Sequence, residues 1–398
     1  MIDILIGATL GFILGIIAGL VPGIHSNLLA TAVVTIYAHT TFGLSALSVA
    51  VLIYVIALTN TFVSFIPSTY LGVPDSGTAL SLLPAHQYLM EGKGHEAVII
   101  TLIGALASLI VTIIALPLFF IVMKATYSFI KVHIPIILIL IAVTLMIKEK
   151  NKFFALYTFI AAGILGITTL NLQIIKEPLL PLLTGLFGMP SLISSMMTKE
   201  RPQQQKISFP PLNTKTCSKT TLNAVITGSF FSFLPSLGPS QAAVFSSLIT
   251  KDNSRETYLM IIGALNTVSM IISVATFYAI NKARNGAVVA MVNILKEIDM
   301  PAMLMFIAIT LVLCFPITIT MIYISKKFSL LISKVNYQLI SIIIMVIIVV
   351  ISIVLSGPWS LLVLITATSI GFIPVFKNIS RNHLMGCLML STILWYVL

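Results

Sequence analysis

The sequence predicts an all-α polytopic membrane protein of two inverted-topology repeats, each with a broken, re-entrant hairpin and about five spans. Composition is the first observation behind this. Hydrophobic residues make up 58% of the chain and charged residues 8%, with a mean hydropathy of +1.11. That is too little charge to cover a soluble surface of 398 residues. Run length is the second. Many continuous apolar runs approach the roughly 20 residues that span a bilayer core, whereas a β-barrel would show alternation. The third is a repeated interruption. Gly15-Ile-Ile-Ala-Gly-Leu-Val-Pro22-Gly23-Ile-His25-Ser26-Asn27 has a relative in Gly228-Ser-Phe-Phe-Ser-Phe-Leu-Pro235-Ser236-Leu-Gly238-Pro-Ser240-Gln241. Setting Gly15 on Gly228 places Pro22 on Pro235 and Asn27 on Ser240.

Taken in order, residues 4–38 are apolar but broken at Pro22-Gly23, and 44–66 form a span containing polar Asn60-Thr61. Residues 67–84, with Pro74-Asp75-Ser76-Gly77, are too short and too broken to cross and are expected to be re-entrant. A polar loop, 85–96, precedes spans at 97–122, 133–147, 153–169 and 178–197. Glycines 104, 163, 166, 185 and 188 are expected to let helices pack closely. Residues 199–221, with Pro202, Pro210-Pro211, three successive glutamines and five basic residues, form a hydrophilic linker. The domains are therefore 1–198 and 222–398. The second half opens with the broken element 222–250, then a span at 256–280, an interrupted piece near 281–300, and spans at 302–324, 337–356, 358–375 and 383–398.

Orientation follows from the basic residues. If both broken elements enter and leave on one side, an outside N-terminus puts Lys93, Lys148, Lys150, Lys152, the linker, Lys251, Arg255, Lys326, Lys327, Lys334, Lys377 and Arg381 inside. Only Lys124, Lys131, Lys176, Lys282, Arg284 and Lys296 remain outside. An odd number of spans per half then inserts the halves in opposite senses. The localisation is the cell (plasma) membrane, multi-pass, with a cytoplasmic linker. The net charge of +11 belongs to these loops and to anionic headgroups, not to nucleic acid. Cys217, Cys314 and Cys387 are far apart and suggest neither disulfide nor zinc site. The N-terminal run has no basic leader region and is expected to stay as the first membrane segment.

The polar residues inside apolar surroundings are the candidate site. Proline removes a backbone donor and frees carbonyls a turn earlier, and glycine permits the turn. Freed groups are tolerated at membrane depth only where they line a cavity or are buried in protein. Helices restarting near Ser26 and Ser240 would direct partial positive charge into that cavity and suit an anion. The alternative is a structural kink with serine as a cap. Matching broken segments in two halves nevertheless point to the binding site of a secondary transporter. The expected substrate contacts are Pro22, Gly23, His25, Ser26, Asn27, Asn60, Thr61, Ser76, Gly77, Ser236, Gly238, Ser240, Gln241, Asn266, Thr267, Arg284 and Asn285. A buried Asp75 must be neutral, paired or bound to a cation, so it is the coupling candidate, with Na+ or H+ as the ion and no cofactor or metal otherwise. Aligning Asp75-Ser76-Gly77 with Arg284-Asn285-Gly286 places Asp75 and Arg284 near the pseudo-twofold axis. The bland reading makes Asp75 a helix cap and Arg284 a solvated loop charge. His25 could titrate near neutrality or be structural; His86 and His95 are expected in solvent. Enzyme readings are weak: Pro74-Asp75-Ser76-Gly77 is no serine-nucleophile loop, and adjacent His25 and Ser26 do not give triad geometry.

At these residues the chain resembles the TctA-like family, the large permease subunit of tripartite tricarboxylate transporters, in a compact archaeal-type branch. Pro22-Gly23-Ile24-His25-Ser26 and Pro235-Ser236-Leu237-Gly238-Pro239 are similar to its PGLGP-type motifs. Val73-Pro74-Asp75-Ser76-Gly77 through Tyr88-Leu-Met-Glu-Gly92-Lys-Gly94-His95-Glu96-Ala97 resembles its acidic region, and Gly263-Ala264-Leu265-Asn266-Thr267 its asparagine-rich segment. The resemblance implies cation-coupled uptake of carboxylates with a small membrane subunit and an extracytoplasmic binding protein. The expectation is a secondary transporter of a small organic anion working by alternating access in the lipid bilayer; oligomerisation is compatible with it. A translocase of polyprenyl phosphate, a lipid phosphate, is the alternative, and a membrane hydrolase of lipid phosphates stands last.

Overall fold

The computed structural model describes residues 2–21, 26–39, 43–73, 78–197, 203–211, 213–232, 238–250, 252, 254–283, 285–332 and 337–397. Among these residues the regular structure is helical, without strands. The helices are α1 (Ile2–Leu20), α2 (Ser26–His39), α3 (Ala46–Val63), α4 (Phe65–Tyr70), α5 (Leu82–Met90), α6 (Gly94–Lys148), α7 (Lys152–Asn171), α8 (Leu179–Leu183) and α9 (Met189–Met197). After the polar stretch come α10 (Thr214–Ser232), α11 (Pro239–Thr250), α12 (Arg255–Ile280), α13 (Gly286–Leu295), α14 (Met300–Ile332), α15 (Tyr337–Ser356), α16 (Ser360–Lys377) and α17 (Gly386–Val397). Short 3₁₀ turns lie at Ala79–Ser81 and Arg381–Met385. Among the described residues seven helical stretches are long and apolar enough to cross a bilayer.

Two of them, Ala46–Tyr70 and Arg255–Ile280, are 94% buried and form the centre. Their sequences are apolar all round, as a helix enclosed by others must be. Serine caps start both: Ser45 Oγ accepts from Ser48 N at 3.3 Å and Ser254 Oγ from Thr257 N at 3.2 Å. Each is approached by a glycine-bearing helix. On α1, Gly7, Gly11, Gly15 and Gly19 recur every four residues, so they share one face. They meet Ser48, then Leu52 and Val55, then Ile56 and Thr59, then Val63. Both series rise together, so α1 and α3 run parallel and α2 must run back between them. In the second half Gly228 of α10 packs on Leu265 and Val268 of α12. Asn223 of α10 donates to the Ser246 carbonyl and Thr250 Oγ1 of α11, at 3.0 and 2.6 Å. Gly15 and Gly228, paired by sequence, thus perform the same packing.

The outer limb of α6 runs alongside α12. Tyr88, just ahead of α6, and Arg255 lie at one end, Gly104 touches Met260 and Gly263 touches Thr101 midway, and Phe120 stacks edge-on to Tyr278 at the other. Tyr70, the end of α4, abuts Gly94, the start of α6. Helix α3 therefore runs opposite to α6, and so opposite to α12. Residues Gly94–Lys148 form one helical run of 55 residues with Pro117 and Pro135 inside it, covering the two spans that sequence expects. A straight rod of that length would measure about 82 Å. Instead Glu149 beyond its end accepts from Ser380 N and pairs with His383, and the neighbouring Asn382 reaches Tyr258, one turn from Arg255. Both ends of α6 lie at one end of the bundle, so its two limbs are antiparallel.

Two further expectations change in detail. The region 178–197 is a relay of α8, a π-helical turn at Thr184–Gly188 and α9, with Gly185 set against Ala367. The polar stretch is partly helical, since α10 begins at Thr214.

Candidate functional site

The centre of the bundle holds amides where α3 and α12 cross. Asn60 is 5% exposed and Asn266 8%. Asn266 Nδ2 donates to the Thr61 carbonyl at 3.5 Å. Thr61 Oγ1 turns back to the Leu58 carbonyl at 2.7 Å, and Thr267 Oγ1 to that of Gly263 at 3.5 Å. Asn60 Oδ1 and Thr59 Oγ1 are buried and accept or donate no hydrogen bond among the described residues. Unmatched polar atoms at this depth cost stability, and sequences retain such costs mainly at functional sites.

The ends of two short helices come to the same neighbourhood. Asn285 caps α13, its Oδ1 accepting from Val288 N at 2.8 Å. Its Nδ2 reaches Met270 Sδ at 3.6 Å. Met270 is one turn from Asn266 and ten residues before the end of α12, so the chain after α12 turns back along it. Helix α13 packs on α3 and on α2. The Asn27 side chain lies so close to Gly286 that a Cβ there would sit 2.7 Å from Asn27 Cγ. The starts of α2 and α13, one from each half, thus meet beside the Asn60–Asn266 pair, and the partial positive charge of the two helix starts favours an anion. The turn Ala79–Ser81 packs on α11 and α12.

Of the sequence-selected residues, Ser26, Asn27, Asn60, Thr61, Asn266, Thr267 and Asn285 lie on these elements. Gly238, Ser240 and Gln241 are at the start of α11, where the Gly238 carbonyl accepts from Ala242 N at 3.2 Å and Ser240 is buried. Pro22, Gly23, His25, Asp75, Ser76, Gly77, Ser236 and Arg284 lie outside the described residues.

The structure also assembles groups that sequence spacing does not announce. His95 is 1% exposed, not solvated. Its Nδ1 meets Ser325 Oγ at 2.9 Å, and Tyr70 OH meets Ser325 Oγ at 3.0 Å and Ser329 Oγ at 2.7 Å. His86 is half-buried, with its pKa lowered to about 4 by burial and by the Arg381 charge. Arg381 donates to Ser191 Oγ at 2.5 Å, and burial brings its pKa down to about 10. The stretch 203–211 is pinned to the α5–α6 turn. Gln203 N donates to the Met90 carbonyl at 3.1 Å, Lys206 N to that of Gly92 at 2.7 Å, and Gln205 Nε2 to that of Leu89 at 2.7 Å. Gly92, at φ +80°, admits this strap because a Cβ would meet the Gln204 carbonyl at 2.7 Å.

The description "Tripartite tricarboxylate transporter TctA family" matches residues 5–386. The chain belongs to this family. It is therefore a subunit of a membrane transporter and not an enzyme, and the seven apolar stretches make it multi-pass. The family belongs to tripartite systems with small-membrane-subunit and binding-protein partners. An uncharacterized protein of Methanocaldococcus jannaschii is 28% identical over 353 residues, covering 86% of this chain and 87% of that protein. No solved structure matches.

Proposed function

We propose that this TctA-family chain is the transporting subunit of a cation-coupled secondary carrier for a small organic anion of the carboxylate class, working by alternating access of two inverted halves. The observation that carries the reading is the meeting of Asn27 with Asn285-Gly286 beside the Asn60–Asn266 pair. Two helix starts and two amides from different halves converge at mid-depth, so relative motion of the halves would open the site to one side and then the other. The opposite directions of α3 and α12 support the inversion. The return of Asn285 to Met270 on α12 supports the re-entrant character of that segment.

The remaining roles follow from the chemistry of the sequence. His25, Ser26, Ser76, Gly77, Thr61, Thr267, Ser240, Gln241 and Arg284 complete the substrate surroundings. Asp75 carries the coupling cation, Na+ or H+. The N-terminus faces outside and the polar stretch faces the cytoplasm. In support, Lys93, Lys150, Lys152, Lys377 and Arg381 gather at the end of the bundle where the 203–211 strap lies. A small membrane subunit and a binding protein would complete the assembly.

The test is uptake of labelled citrate and of mono- and dicarboxylates into proteoliposomes, driven separately by Na+ and pH gradients, with and without the partner subunits. Saturable uptake accelerated by one gradient, and losing that acceleration in Asp75→Asn, is the expected result. If every soluble carboxylate fails while a short-chain polyprenyl phosphate crosses, the carboxylate reading is wrong.

A further inference from the structure

A second site lies away from the helix breaks, where α10 begins against α6. A groove of about 530 Å³ opens between the two helices. Ala107 and Val111 of α6 and Leu222 of α10 form its apolar wall, and Ser218, Lys219 and Thr221 line its other end. Thr221 is 3% exposed and its Oγ1 has no hydrogen-bond partner among the described residues. A buried hydroxyl left unpaired beside a groove calls for an explanation, and a ligand is one.

The charges that α10 brings to the groove are of one sign. Lys215 and Lys219 are exposed on the first turns of α10. Neither α10 nor α6 beyond Glu96 carries a carboxylate. Asn213 Oδ1 already accepts from Lys215 N and Thr216 N, so lysine ammonium groups and the Thr221 hydroxyl, rather than the helix start, would hold an anion. The apolar end continues onto a greasy outer face: Leu222 and Ile226 on α10, and Ile110 and Ile114 on α6, are 54–74% exposed. Lys219 stands one turn before Leu222, about 4.5 Å along the axis. Polar surface gives way to apolar surface over that single turn, as at a headgroup boundary.

We infer that this groove binds an anionic membrane lipid, its phosphate held by Lys219, Lys215 and Thr221 and one chain laid along Ala107, Val111 and Leu222. A soluble phosphate would satisfy the lysines but leave the apolar wall empty, and a zwitterionic lipid would fill the wall without net attraction to the lysines.

The experiment uses the purified full chain in neutral detergent. Its melting temperature is followed while phosphatidylglycerol, phosphatidylcholine or inorganic phosphate is added, and native mass spectrometry counts the retained lipids. Phosphatidylglycerol should raise the melting temperature saturably and stay bound, and phosphatidylcholine should not. Replacing Lys215 and Lys219 by Gln should raise the half-saturating phosphatidylglycerol concentration by about fivefold per lysine. Both lysines are exposed, so the lipid-free melting temperature should stay unchanged. Thr221→Val, close to isosteric, should weaken retention again. Equal shifts with phosphatidylcholine, or an unchanged half-saturation in the double variant, would overturn the proposal. Reproduction of the shift by inorganic phosphate alone would overturn the lipid assignment in favour of a soluble-anion site.

Discussion

Asn60 separates a structural reading of the central amides from a functional one. Its Oδ1 is buried and accepts no hydrogen bond among the described residues. Such an acceptor costs about 1–3 kcal/mol relative to an apolar group in the same place. Asn60→Leu removes that cost. The larger side chain adds an overpacking penalty of roughly 1–3 kcal/mol in a tight core, so the two terms offset. The Asn266–Thr61 bond, at 3.5 Å, is retained in the variant. Interhelical hydrogen bonds in membranes average about 0.6 kcal/mol in any case. The expected outcome is a melting temperature in detergent at or above wild type and gradient-driven carboxylate uptake reduced at least tenfold. A purely structural amide would give the reverse, with uptake following the amount of folded protein. Wild-type uptake per folded molecule in Asn60→Leu would refute the placement of the site at the α3–α12 crossing.

Other perturbations address the packing and the charges. Gly263→Ala forces a Cβ into the Thr101 carbonyl, and a backbone obstacle cannot swing aside, so destabilisation of about 1–3 kcal/mol should appear as a lower melting temperature. Gly286→Ala meets only the side chain of Asn27, which can move; the fold should persist while carboxylate affinity falls, read by thermal shift with ligand. His86, whose pKa is depressed to about 4 in the folded chain, takes up a proton more readily when unfolded. Its contribution is fully present above about pH 6.5 and is lost as pH falls towards 4. His86→Gln should flatten the melting-temperature profile in that window. The Arg255–Glu91 pair, 2.6 Å apart but 41% and 44% exposed, should contribute less than about 1 kcal/mol. Glu91→Gln should therefore shift the melting temperature only slightly, and less still in high salt.

What the sequence reveals, and what it conceals, follows from how each contact is encoded. The membrane class, the two central helices and the glycine face of α1 rest on local composition and four-residue periodicity, and these survive in a single chain. The equivalence of Gly15 and Gly228 was legible because both halves repeat a motif, and the folded chain gives both glycines the same task. The convergence of Asn60, Thr61 and Asn266 could be suspected only from their similar settings. Their contact spans 205 positions, and no local rule fixes it. The polar stretch holds what the sequence conceals. Its prolines and glutamines read only as a hydrophilic linker, and Gln205 threads its amide between the Gly94 N–H, at 2.9 Å, and the Leu89 carbonyl. Phe209 closes edge-on over His95. Polar residues without periodicity fit a loose linker and a bound strap equally well, because what holds a strap is the turn of another segment. Here that turn is Gly92, whose missing side chain leaves room for the strap. The strap thereby joins α5 and α6 to the start of α10, and any relative motion between these segments must either carry it along or release it.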